Sequence, residues 1–275
     1  MEKVRSYIRK VIKIVVRPEM RILPGQLAFF FVVSTIPLIA LLGAIASSFS
    51  VPIEPIKEAL SITTPTGVDK LLIGALASNG MNFNMGAFFI SAFILASNGT
   101  NSIINASNEI YKIKPKSFFR RRTKAIIMTF LLLTLLTFLL LVPVFGDTIF
   151  NVIKEQIINE KATRFIYNIY QLAKYPISLI IIYYNIKLLY VIAPDEEIPS
   201  SSVTKGAIFT TASWIIASEV YSLYVETFTK YDVFYGSISN ILVLLLYVYL
   251  LSYIFVLGLI INFGSYQNRQ VEDRT

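Results

Sequence analysis

The sequence contains neither cysteine nor histidine. Without cysteine there is no disulfide, no thiolate zinc site and no Cys nucleophile, and redox compartment leaves no mark. Without histidine, an enzyme would lack the commonest general base and the commonest metal ligand. Charge is scarce as well: 15% of residues are charged, where a soluble domain averages about a quarter. No G-x-S-x-G, Walker A or H-E-x-x-H string is present. The acid run Asp195-Glu196-Glu197 does not make a catalytic pair, since adjacent residues in a helix point apart, and it reads as a solvated loop. The chain is therefore expected to be no enzyme and to need no cofactor.

What the sequence has in abundance is apolar length. Hydrophobic residues make up 55% of it, and the mean hydropathy is +0.64. A membrane span needs roughly 20 mostly apolar residues to cross about 30 Å of hydrocarbon, and several blocks meet that length. The expected fold is all-α: a polytopic membrane helix bundle of about six transmembrane helices, with an N-terminal amphipathic interfacial helix. The spans fall near Gln26–Phe49 (with a kink expected at Pro37), 83–106, Lys124–Phe145, Pro176–Ala193, Gly206–Val225 and Ile238–Phe263. Residues 22–263 would form the membrane domain and 264–275 a cytoplasmic tail. The string Leu-Ala-Ser-Asn-Gly occurs at Leu76–Gly80 and again at Leu95–Gly99. It leaves open a broken or re-entrant helix over 71–97, although one ordinary span over 83–106 is the preferred reading.

Residues 1–21 are basic and amphipathic. At about 100° per residue, Val4, Tyr7, Ile8, Val11, Ile12 and Val15 share one face, and Arg5, Arg9, Lys10, Lys13 and Arg17 lie opposite. Arg9, Lys10, Lys13 and Arg17 would then meet anionic lipid headgroups at the membrane surface. A solvated helix packed on its own protein is the alternative. Seventeen Lys and Arg residues fall in the segments assigned to the inside and seven in those assigned to the outside. That bias predicts a cytoplasmic N-terminus and C-terminus. It also accounts for the net charge of +8 without a nucleic-acid partner.

The clearest polar feature ends the second span. Asn98, Asn101, Asn105 and Asn108 recur at spacings of three, four and three, with Ser102 and Glu109 beside them. On a helix this is one face, and at membrane depth a polar face must line water or meet partners. It could line a substrate pathway, or it could be glue between helices or a wet cytoplasmic turn. Glu219 is the deepest acid in an apolar setting, either a proton or cation site or a carboxylate close to the outer water. Tyr221, Tyr224, Tyr231 and Tyr235 read as an interfacial aromatic belt.

Four blocks resemble the YihY/BrkB family of bacterial inner-membrane proteins. They are Gly25–Pro37 with its Ser34-x-x-Pro37 ending; Asn108-Glu109-Ile110-Tyr111 followed by Phe118, Phe119 and Arg120–Arg122; Ala193-Pro194-Asp195; and Tyr235-Gly236-Ser237 followed by a helix with Gly258 and Asn262. The resemblance implies six spans in a bacterial plasma (inner) membrane. It also brings labels of ribonuclease, virulence factor and serum-resistance factor; the ribonuclease label finds no footing in these residues. Family members often carry an acid between the Gly and Asn of the last span, where this chain has Leu259, Ile260 and Ile261. Any mechanism needing that carboxylate is in doubt here.

Three functions follow in order. The first is a transporter or flippase of a lipid or other amphiphile, using the asparagine stripe and Glu219. The second is a structural or regulatory membrane protein without transport, docking a protein partner or a second copy of itself on the outer segment 146–175. The third is a membrane-embedded lipid-headgroup enzyme. Membrane lipids are the expected partners.

Overall fold

The computed structural model describes residues 17–48, 83–140, 160–228 and 239–272. Arg9, Lys10, Lys13, the first Leu-Ala-Ser-Asn-Gly string, Tyr231, Tyr235 and residues 141–159 of the chain lie outside the described residues. Within them the chain is all helix: α1 Pro18–Ser48, α2 Phe83–Tyr111, α3 Phe118–Leu140, α4 Glu160–Ile192, α5 Thr204–Phe228 and α6 Ser239–Glu272. Six helices stand where six spans are expected. Among the described residues, Leu244–Val271 of α6 is by length and composition apolar enough to cross a membrane, at a mean hydropathy of 2.6.

Local chemistry explains the helix ends. Pro18 opens α1, where a missing N–H costs nothing. Glu19 sits in the first turn, where the helix dipole favours a carboxylate. Helix α2 runs unbroken from Phe83 past the expected end at residue 106 to Tyr111. It stops in a Schellman cap: Ile113 N–H donates to Asn108 O at 2.9 Å and Lys112 N–H to Glu109 O at 3.2 Å. Lys112 occupies the left-handed position at φ 57°, where glycine is the usual residue. Helix α4 starts sixteen residues before Pro176 and carries that proline inside. A proline removes one backbone donor, and packing can hold the helix on both sides of it.

Among the described residues, the main buried core lies at one end of the bundle. Met20 and Leu27 come from the start of α1, Ile103 and Ile104 from the second half of α2, and Met128 from the start of α3. Ile186 and Tyr190 come from the end of α4, Val203 from the residue just before α5, Ala207 from its first turn, and Val256 and Leu259 from the second half of α6. Beginnings of odd helices thus meet ends of even ones, so the six helices alternate in direction.

Small residues let the backbones approach. Gly99 N–H of α2 donates to Ser34 Oγ of α1 at 2.9 Å, and a Cβ on Gly99 would lie 3.0 Å from that oxygen. This gives the serine of the Ser-x-x-Pro block a packing role. Between α5 and α6 the approach is closer. A Cβ on Gly206 would lie 2.3 Å from Gly258 O, and one on Gly258 would lie 2.1 Å from Thr210 Oγ1 and 2.2 Å from the Tyr190 hydroxyl. Asn262 Oδ1 accepts from Gly206 N–H at 2.7 Å, satisfying one of the α5 first-turn donors that no helical carbonyl can reach. The fully buried Tyr190 hydroxyl pairs with Thr210 Oγ1 at 2.7 Å and donates to Phe255 O at 2.9 Å.

Candidate functional site

At the packed end, the α2–α3 and α4–α5 connections are joined through one carboxylate. Asp195 is 3% exposed. Its Oδ2 accepts from Asn108 Nδ2 at 2.8 Å and from Lys116 N–H at 3.0 Å, and its Oδ1 from Lys124 Nζ at 3.2 Å. Asn108 Oδ1 in return accepts from Asp195 N–H at 2.8 Å. Lys124 Nζ also donates to Ala193 O at 2.9 Å and to Pro194 O. Burial alone would raise the Asp195 carboxyl, but the Lys116 amide, the Asn108 amide and the Lys124 ammonium together outweigh it and hold the group below the usual carboxylate range. The expectation of a solvated acid loop therefore holds for the exposed Glu196 and Glu197 and fails for Asp195. The end of α2, the α2–α3 connection and the start of α3 supply the donors for this one acid.

The asparagine face of α2 turns toward α3. Asn98 Oδ1 accepts from Arg122 Nη1 at 2.8 Å, and Arg122 Nη2 donates to Ile94 O at 2.7 Å. Asn105 Oδ1 accepts from Arg121 Nη1 at 3.0 Å. Ser102 is buried and donates to Gly99 O of its own helix at 2.6 Å. Asn101 is half-buried. Three of the four stripe asparagines thus hold partners on neighbouring elements.

Beside this seam a cleft of about 630 Å³ opens between the start of α1 and the end of α2. Its polar lining is Glu19 and Gln26 of α1, Asn105, Asn108 and Glu109 of α2, and Arg121 of α3; the rest is apolar, including Ile22, Leu23 and Ile113. That volume lies within the roughly 300–1,000 Å³ of small-molecule sites. Glu19 Oε2 and Arg121 Nε are buried without a hydrogen-bond partner.

The structure brings Asn105, Asn108 and Glu109 of the expected pathway to the cleft and leaves Asn98, Asn101 and Ser102 outside its lining. Glu219 is not there either; it lies exposed on α5, beside Ile216 and Val220, which are exposed too. Arg17, the one residue of the expected headgroup set that the structure describes, is half-buried just before α1. Leu259 and Ile260, where an acid is expected in the resembled family, are buried apolar residues of the core. Sequence reasoning missed Glu19, Gln26 and Arg121 as lining residues. Arg121 belongs to the basic block after α2, and its place sixteen residues after Asn105, across a single helix turnabout, is the signal that could have found it.

Comparison with known proteins follows the same outline. The pattern of the family described as virulence factor BrkB matches residues 16–275. YfkH of Bacillus subtilis (strain 168), whose name calls it a ribonuclease-like protein, is 28% identical over 253 residues, covering 90% of this chain and 91% of the relative. A UPF0761 membrane protein of Pseudoalteromonas translucida (strain TAC 125) is 25% identical over 246 residues, covering 85% and 77%. A UPF0761 membrane protein of Vibrio atlanticus (strain LGP32) is 25% identical over 246 residues, covering 85% and 74%. No solved structure matches.

Proposed function

The chain belongs to the virulence factor BrkB family, and from that premise we propose that it is a membrane protein that moves a lipid or other amphiphile between the leaflets of the bacterial plasma membrane. Relatives along most of its length are named membrane proteins. The chain crosses the bilayer six times with both termini in the cytoplasm, as the excess of inside Lys and Arg favours. The observation that carries the transport reading is the cleft at the α1–α2 opening. It is large enough for a headgroup, lies at the end that the charge bias assigns to the cytoplasm, and is lined by both polar side chains and aliphatic ones that suit an acyl chain. The basic leader would gather lipid at the same face.

A second reading has an observation of its own. Asn98, Asn105 and Asn108 all accept or exchange hydrogen bonds with neighbouring elements, as asparagines that glue helices together do. On that reading the chain is a structural or regulatory protein that docks a partner or a second copy. A ribonuclease activity, suggested by the name of one relative, has no supporting residue in this sequence.

The test is translocation of headgroup-labelled lipids in proteoliposomes of the purified full chain, with an Asn101→Ala/Asn105→Ala double variant. Lipid movement lost in a folded double variant supports a pathway. No movement for any lipid class, with folded protein, overturns the transport reading in favour of docking.

A further inference from the structure

The cleft presents unmet polar atoms of opposite character. Glu19 projects from the first turn of α1, and its Oε2 is buried with no donor. The helix dipole explains a carboxylate in that turn, but it does not explain burying one of its oxygens unpaired. Arg121 is held by its bond from Nη1 to Asn105 Oδ1 at 3.0 Å, and its Nε is buried with no acceptor. Glu109 completes the ionisable lining from an exposed position on α2. Two carboxylates and one guanidinium therefore face the same space.

A purely anionic ligand would satisfy Arg121 but meet two carboxylates. A purely cationic ligand would satisfy Glu19 and leave the guanidinium N–H without an acceptor. A ligand carrying both groups answers each. A phosphate oxygen accepts charge-assisted bonds from an arginine, and a primary ammonium has three N–H donors to offer a carboxylate. A quaternary ammonium has none. The basic leader would favour anionic headgroups, so the cleft selects something the leader does not.

We propose that the cleft recognises an amphoteric phosphodiester, a phosphate next to a primary ammonium as in an ethanolamine phospholipid headgroup, with Arg121 binding the phosphate and Glu19 the ammonium. The inference rests on the cleft being the place where amphiphiles enter. Ile22, Leu23 and Ile113 cover the glycerol and first methylenes, and Asn105 fixes the guanidinium.

Isothermal titration of the purified full chain in detergent tests this with glycerophosphoethanolamine, glycerophosphocholine and glycerophosphoglycerol. The ethanolamine compound is expected to bind at least about tenfold tighter than the other two, the difference made by one charge-assisted hydrogen bond. In Glu19→Gln that preference collapses while phosphodiester binding persists. In Arg121→Lys, which keeps the charge, all three bind more weakly and their order is kept. Equal affinities in the unaltered protein, or a preference untouched by both variants, overturn the proposal. Nanodiscs separate the two sources of this chemistry. Ethanolamine phospholipid that competes out the free compound identifies a lipid headgroup as the ligand; no competition identifies a soluble one, against the lipid assignment. Selective binding without lipid movement in proteoliposomes would leave this site standing and remove the transport reading. Lipid movement with no headgroup preference would do the reverse.

Discussion

The two sides of the packed end are built by opposite means. Between α5 and α6, glycines bring backbones so close that a methyl group has no room; Asn262 closes a hydrogen bond across this seam, and Tyr190 of α4 ties Thr210 of α5 to Phe255 O of α6. Between α2 and α3, long side chains reach across: Arg121 and Arg122 span to Asn105 and Asn98, and a cleft remains beside them against the start of α1, while α1 and α2 touch closely only further along, at Ser34 and Gly99. Close backbone packing gives a rigid seam and excludes ligands. A seam bridged by arginines keeps its polar atoms within reach of whatever enters. One chain thus pairs a closed side, where backbones touch, with a side that keeps an open cleft.

Substitutions should separate the halves by the size of their effects. The largest is expected on the closed side. Gly258→Ala forces a carbon against Thr210 and Tyr190 and should cost about 3 kcal/mol, at the upper range for overpacking. Thermal unfolding in detergent would read it, and a change under 1 kcal/mol would mean that α5 and α6 are not so close. Next comes the junction between the halves. Asp195→Ala strands the Asn108 amide and the Lys116 N–H, takes the counter-charge from Lys124, and should cost about 2 to 3 kcal/mol by the same measurement.

That carboxylate also sets an acid limit. Its folded pKa lies below its ordinary value, so its contribution is full above the unfolded value of about 4 and disappears as the pH falls through the lower folded value. The unaltered protein should lose Tm below about pH 4 more steeply than Asp195→Asn does. Identical acid slopes would remove the linkage. The smallest effect is at the α2 cap. Lys112→Gly relieves a left-handed non-glycine residue and should stabilise by about 1 kcal/mol, measurable as a higher Tm.

The sequence carried the helices plainly, because apolar blocks of span length have few other uses. Helix ends were harder to read. α2 overran its expected end because its stop signal is a lysine doing a glycine's work, and α4 began early because a proline at residue 176 did not end it. The asparagine stripe was legible as a face, since spacings of three and four allow no other arrangement on a helix. Its partners were not. Asn108 meets a carboxylate 87 residues away, and nothing local marks Asp195 as different from Glu196. Glu19 was hidden for the same reason: its surroundings in the sequence are ordinary, and only the packing of α1 on α2 makes it part of a cleft.

The most direct test of the open half fills it. Gln26 lines the cleft and Asn98 does not, so Gln26→Trp and Asn98→Ala can be compared in proteoliposomes loaded with headgroup-labelled phospholipid. The account predicts that Gln26→Trp abolishes movement while Asn98→Ala moves lipid as the unaltered protein does. Movement that survives a tryptophan in the cleft, in protein that is folded, would contradict it.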